Sequence, residues 1–188
     1  AAAFAERFAW RWAQGVRGYS FANEVNAANF RYALMRALFG EEQARQGASL
    51  NENQQREAIL GAAREWHGLW LFDNYESVMD EGRQGNKDAE VIHRLIYDLA
   101  NGGAELLLTS RNQPADLPNE LLYPEGSHTL QGLGDEAGMA LFFKHSAKAS
   151  EGLKKNPEEN IKFALSIKGA ADGHPLAIAL LAGEYNVR

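Results

Sequence analysis

Apolar positions recur along this chain with two periods, and the period switches several times. From Ala1 to Gln14, Phe4, Phe8 and Trp12 fall four residues apart, which predicts an amphipathic helix stopped by Gly15. Arg17 to Phe21 is a short strand candidate. Asn26 is placed to cap a helix carrying Phe30, Leu34 and Leu38 and ending at Gly40. A polar segment follows, then a predicted helix over Gln54–Trp66. Gly68 to Asp73 is a run of large apolar side chains, read as a strand buried on both faces. Gly82–Lys87 is expected as a flexible loop, and Asp88–Asn101 as a helix with Val91, Leu95 and Leu99 on its apolar face. Ala104–Thr109 is a second buried strand, stopped by Ser110, Arg111 and Asn112. Pro114 and Pro118 mark an irregular connection, and a further strand is expected over Ser127–Leu133. Three helical segments finish the chain, at Glu136–Ala149, Pro157–Lys168 and Pro175–Tyr185.

Strands separated by helices, two of them nearly all apolar, predict an α/β fold with a parallel sheet. After about Asp135 the strands stop and helices take over. The expected division is an α/β core over 1–134 and a helical subdomain over 135–188.

Composition narrows the function classes. The 188 residues carry a net charge of −6, which argues against direct nucleic-acid binding as the main role of this segment. Lys154, Lys155, Lys162 and Lys168 gather locally, but Glu151, Glu158 and Glu159 sit among them, as on a solvated helix face. With no cysteine there is neither a disulfide frame nor a thiolate site, so a reducing compartment, the cytoplasm, is the expectation. No apolar run approaches the ~18 residues of a membrane span. The five histidines, His67, His93, His128, His145 and His174, show no metal-ligand spacing and are expected as surface or hydrogen-bonded residues.

The candidate chemistry lies at two strand ends. In the stretch WLFDNYESV, Asp73 closes an apolar run and is followed by Asn74. A carboxylate there either serves the turn or faces a cation in a cleft. The second strand ends in Thr109, Ser110 and Arg111. Ligands of open parallel sheets bind beyond the carboxyl ends of the strands. If these two are neighbours, an acid, hydroxyls and a guanidinium converge there, which suits a nucleoside triphosphate with Mg²⁺. A third element, Gly173-His174-Pro175, precedes an apolar helix; its proline suits a first helical position by turn chemistry alone.

Taken in order, FDNYESV, LLLTSR, LQGLGDEAGMALF and GHPLAIAL resemble the STAND class of P-loop nucleotide switches, the NB-ARC and AP-ATPase group. The resemblance covers most of the chain. It implies a P-loop NTPase-type sheet followed by a small helical subdomain, an ATP/ADP ligand, and Mg²⁺ held by Asp73 through water. It further implies that Arg111 reads the γ-phosphate, that Thr109 and Ser110 lie at the phosphate end, and that Gly173, His174 and Pro175 form the turn against the base. Asn74 stands where many related ATPases carry a second acid, and an amide cannot act as general base. Glu76 lies close by but needs a favourable turn to do so. Slow turnover, or a switch that holds its nucleotide, is the implied behaviour. Such switches couple nucleotide state to homo-oligomerisation and to other domains of the parent chain, in signalling or defence.

One motif of the family is missing. The phosphate-cradling loop requires Gly-Lys followed by Ser or Thr, and this sequence contains no Gly-Lys dipeptide. The chain starts inside what resembles the helix after that loop, so the first strand and P-loop are expected to have preceded it. A degenerate domain that never had the loop, serving as a non-catalytic interaction module, is the alternative. A missing strand would belong beside the Ala104–Thr109 strand.

Overall fold

A computed structural model describes residues 2–114, 117 and 131–187. The chain divides into two compact units, Ala1–Ser127 and His128–Arg188.

The first unit is built on three parallel strands: β1 (Val16–Ser20), β2 (Leu69–Asp73) and β3 (Glu105–Leu108), in the spatial order β1-β2-β3. The register sets Gly18 opposite Leu71 and Phe72 opposite Leu108. Parallel neighbours need crossover connections, and helices supply them. Between β1 and β2 lie α2 (Ala27–Phe39), α3 (Glu41–Gly47) and α4 (Glu52–Glu65); between β2 and β3 lie α5 (Tyr75–Arg83) and α6 (Lys87–Asn101). A short helix α1 (Ala2–Phe8) and a 3₁₀ turn over Ala9–Arg11 precede β1.

The opening helix is thus shorter than the predicted Ala1–Gln14. Trp12 is extended, and its indole nitrogen donates to Glu105 Oε2 at 2.7 Å. The Gly15 carbonyl already accepts from Leu69 N at 3.0 Å. Gln14 N donates to His67 O at 3.3 Å, so long-range bonds take Trp12 and Gln14 out of the helix that periodicity assigns to them.

Caps explain several boundaries. Asn26 accepts from Asn29 N at 2.9 Å to start α2, which ends at Gly40 as its sequence predicts. Asn51 and Gln54 form a reciprocal capping box at the start of α4. The polar segment after Gly40, to which the sequence pattern assigns no element, contains α3, whose first turn holds Glu41; that carboxylate accepts from the Tyr32 hydroxyl at 2.8 Å.

The core lies along β2, whose residues Leu69 to Phe72 are all buried. Phe72 meets Phe30 of α2 at 5.3 Å between ring centroids, and Phe21 lies 5.3 Å from Phe30. Truncating a fully buried phenylalanine such as Phe72 costs about 3–5 kcal/mol. On α6 the buried face is Ile92, Leu95, Ile96 and Leu99, while Val91 is exposed. The predicted stripe of Val91, Leu95 and Leu99 was therefore rotated by one position at its start.

The second unit packs α7 (Asp135–His145), α8 (Ala147–Lys155), α9 (Pro157–Ala170) and α10 (Pro175–Val187) around Phe142, Ala149, Ala164, Ile178 and Ala182. The single helix predicted over Glu136–Ala149 is broken at Ser146. This fully buried serine accepts from Ala149 N at 3.1 Å to cap α8, and its hydroxyl donates to Asn186 Oδ1 at 3.0 Å. Of the strand expected over Ser127–Leu133, residues 127–130 lie outside the described residues, and 131–133 have no regular structure. Pro118 and His128 lie outside them as well.

Candidate functional site

Asp73 is the last residue of β2, and Thr109 follows β3 directly. Because the strands are parallel neighbours, their carboxyl ends lie side by side, and four hydrogen bonds join them. Thr109 N donates to Phe72 O at 3.0 Å, and Tyr75 N donates to Thr109 O at 2.9 Å. The Thr109 hydroxyl donates to Asp73 Oδ1 at 2.5 Å, and Thr109 Oγ1 accepts from Asn74 N at 3.3 Å. From β1, Phe21 N donates to the Asp73 carbonyl at 3.0 Å. Asp73 thus touches all three strand ends.

The chain leaves β2 through Asn74, which adopts the left-handed conformation at φ 60° and ψ 42°. Asparagine is among the few residues that tolerate this region. The turn sends the chain into α5, a helix that the sequence reading did not predict. It buries Tyr75, Glu76, Val78 and Met79 and so places Glu76 in its first turn. Carboxylates are favoured near a helix N-terminus. Arg111 donates to Glu76 through Nε at 2.8 Å and through its backbone N at 3.3 Å. Ser110 Oγ accepts from Asn112 N at 3.3 Å and shapes the turn after β3. Asp73, Asn74, Glu76, Thr109, Ser110 and Arg111 therefore belong to one continuous strand-end surface.

Its electrostatics are mixed: two carboxylates, one guanidinium, and the N-terminus of α5. Thr109 occupies Asp73 Oδ1, and Oδ2 has no partner among the described residues. One carboxylate oxygen on a strand end can serve a hydrated cation. No group of three or more His, Cys, Asp or Glu among the described residues could hold a metal as a closed cage. A Mg²⁺ ion bound here would depend on water and on ligand oxygens for the rest of its octahedron.

Glu76 is buried and tied to Arg111, so in this arrangement it is not a free base, and Arg111 is not an unpaired cation. His93, expected as a satisfied histidine, is half-buried, and its Nδ1 lies 2.5 Å from the Tyr75 hydroxyl.

Gly173, His174 and Pro175 belong to the second unit. Gly173 is buried with φ +67°, and its carbonyl accepts from Leu133 N at 2.8 Å. A Cβ on Gly132 would lie 2.2 Å from Asp172 O, and one on Gly173 would lie 2.7 Å from Leu133 N. The two glycines let two backbone segments touch, so the motifs LQGLG and GHP are parts of one packed turn. His174 Nδ1 accepts from Ala177 N at 3.4 Å, and the exposed Pro175 opens α10.

No protein-family model matches this chain, and no curated protein or solved structure matches it either.

Proposed function

We propose that this chain is part of an ATP/ADP-binding molecular switch of the STAND/NB-ARC type, coupling nucleotide state to assembly and signalling. The observation that carries this reading is the Thr109–Asp73 hydrogen bond across adjoining carboxyl ends of parallel strands. It supports Asp73 as the residue that orders a hydrated Mg²⁺, with Thr109, Ser110 and Arg111 at the phosphate end. Asn74 in place of an acid, and Glu76 held by Arg111, favour slow turnover over rapid hydrolysis.

A non-catalytic interaction module is the second reading. It is favoured by the internal pairing of Arg111 with Glu76 and by the missing Gly-Lys dipeptide. Calorimetry on the chain with Mg-ATP and Mg-ADP separates the two. The switch reading expects binding weaker than about 1 μM, because the loop that supplies most phosphate contacts is not in this sequence. It also expects Asp73→Asn to weaken that binding at least about tenfold and to erase its Mg²⁺ dependence. Equal binding by Asp73→Asn removes the metal role of Asp73, and no binding up to about 1 mM selects the interaction module.

A further inference from the structure

β1 is an edge strand: among the described residues it pairs with β2 alone. Gly15 O and Phe21 N both bond to β2, so odd-numbered residues turn their backbone groups inward. The alternation of strand geometry turns the N–H and C=O groups of Val16, Gly18 and Ser20 outward. Beside this edge, on the face shared with α2, runs a groove of about 350 Å³. Ala33 and Ala37 leave it open on the helix side, and Trp70 and Tyr19 form part of its floor. The Trp70 indole N–H is buried and has no acceptor among the described residues. Arg17 and Arg36 line the same groove. Arg17 has no ion-pair partner among the described residues, and Arg36 is only loosely held, 4.0 Å from Glu41 with its side chain 60% exposed. In a chain of net charge −6, this is a locally cationic rim around an apolar floor.

We propose that the β1 edge and its groove bind an extended, acidic segment of a partner protein by strand addition. An unpaired edge offers main-chain hydrogen bonds to any extended peptide, and the flanking pockets select alternate side chains. A strand added here points every second side chain towards α2. Small apolar side chains fit against Ala33, Ala37 and Trp70, and a carboxylate fits between Arg17 and Arg36. The charge selects an acidic segment over a basic one. This inference does not depend on nucleotide binding.

The test uses the full chain and a labelled peptide, Val-Ser-Val-Ser-Glu, capped at both ends so that its glutamate is its sole charge. Its counterpart carries Lys in place of Glu. Fluorescence anisotropy should show saturable binding of the acidic peptide, weakened at least about tenfold by Arg17→Glu with Arg36→Glu and by high salt. N-methylation of alternate peptide amides, in one of the two phases, should abolish binding without any change to the protein. Amide-resolved NMR should show new exchange protection at Gly18 and Ser20, and a shift of the Trp70 indole proton. Equal binding of the Lys peptide, or insensitivity to N-methylation in both phases, overturns the proposal. So does the absence of binding up to about 1 mM. Self-association of the free chain through β1, detected by sedimentation and broken by Arg17→Glu, would assign the edge to a second copy and would also overturn it.

Discussion

Arg111, in the segment after β3, holds Glu76 in the first turn of α5, with Nε 2.8 Å from Oε1. The pair is lopsided: the Arg111 side chain is 79% exposed and that of Glu76 only 6%. The glutamate has lost its water, whereas the arginine keeps most of its own. Removing the arginine therefore costs more than a surface ion pair is worth, because a buried carboxylate loses a donor. Solvent at the arginine end moderates the loss. Arg111→Ala should destabilise the first unit by about 1–2 kcal/mol. Glu76→Gln keeps one acceptor for Arg111 Nε but sets an amide NH2 against Arg111 N, so it should cost a similar amount. Urea unfolding followed by tryptophan fluorescence reads this unit, because Trp10, Trp12, Trp66 and Trp70 all lie within it. An Arg111→Ala protein as stable as the original would show that the pair is held without net benefit.

The backbone contact between Gly132 and Gly173 sets up a second prediction. Gly132→Ala would press a methyl group to 2.2 Å from Asp172 O, and Gly173→Ala would add the strain of φ +67°. Backbone atoms cannot yield as a flexible side chain can. Each substitution should cost about 1–3 kcal/mol in the second unit. Hydrogen exchange in α10 should accelerate accordingly. Gly183, which has open space around it, is the control, and Gly183→Ala should leave exchange unchanged or slow it. Unchanged exchange in both Gly132→Ala and Gly173→Ala would mean that the turn is not a packed junction.

A third prediction concerns alkaline pH. Burial raises the pKa of the Tyr19 phenol above its ordinary value of 10.0, and the neighbouring Glu24 carboxylate adds to the effect. The unfolded chain therefore releases this proton before the folded one does. The stability Tyr19 contributes is fully present below the ordinary tyrosine range and is lost as pH rises through the folded pKa. Tyr19→Phe should flatten that part of the alkaline decline in unfolding free energy, while curves near neutral pH keep their shape. An alkaline decline of the same steepness in Tyr19→Phe would assign it to other groups.

Local chemistry made much of this architecture legible. Asn26 and Gly40 bracket α2 as their residue types require, because caps act within one turn of their own position. β2 was visible because a strand covered on both faces leaves an unbroken apolar run; β3 was visible by its three leucines, but they are only half-buried and Glu105 is exposed, so its expected burial on both faces is corrected. The candidate cluster at Asp73, Thr109 and Arg111 could be named as residues. That Thr109 meets Asp73 and Arg111 meets Glu76 depends on β2 and β3 being neighbours, which no local pattern encodes.

Where the sequence reading fell short, long-range contacts had decided the outcome. The apolar periodicity of Ala1–Gln14 continues past the helix it forms, because Trp12 and Gly15 gain partners on Glu105 and Leu69. α5 carries no side-chain cap; left-handed Asn74 and the bond from Tyr75 N to Thr109 O set its start. Ser146 breaks a helix that periodicity would continue, since its hydroxyl is shared between Ala149 and the distant Asn186. By itself the sequence determined the class of fold, the periodic helices with their caps, and the buried strand β2 with its partly covered neighbour β3, for these follow from interactions over a few residues. Only the tertiary structure decided strand order, the start of α5, the pairing of Glu76 with Arg111, and the open edge of β1. Each of those depends on which distant segment arrives to satisfy a hydrogen bond or a charge, and that choice is made by packing the whole unit.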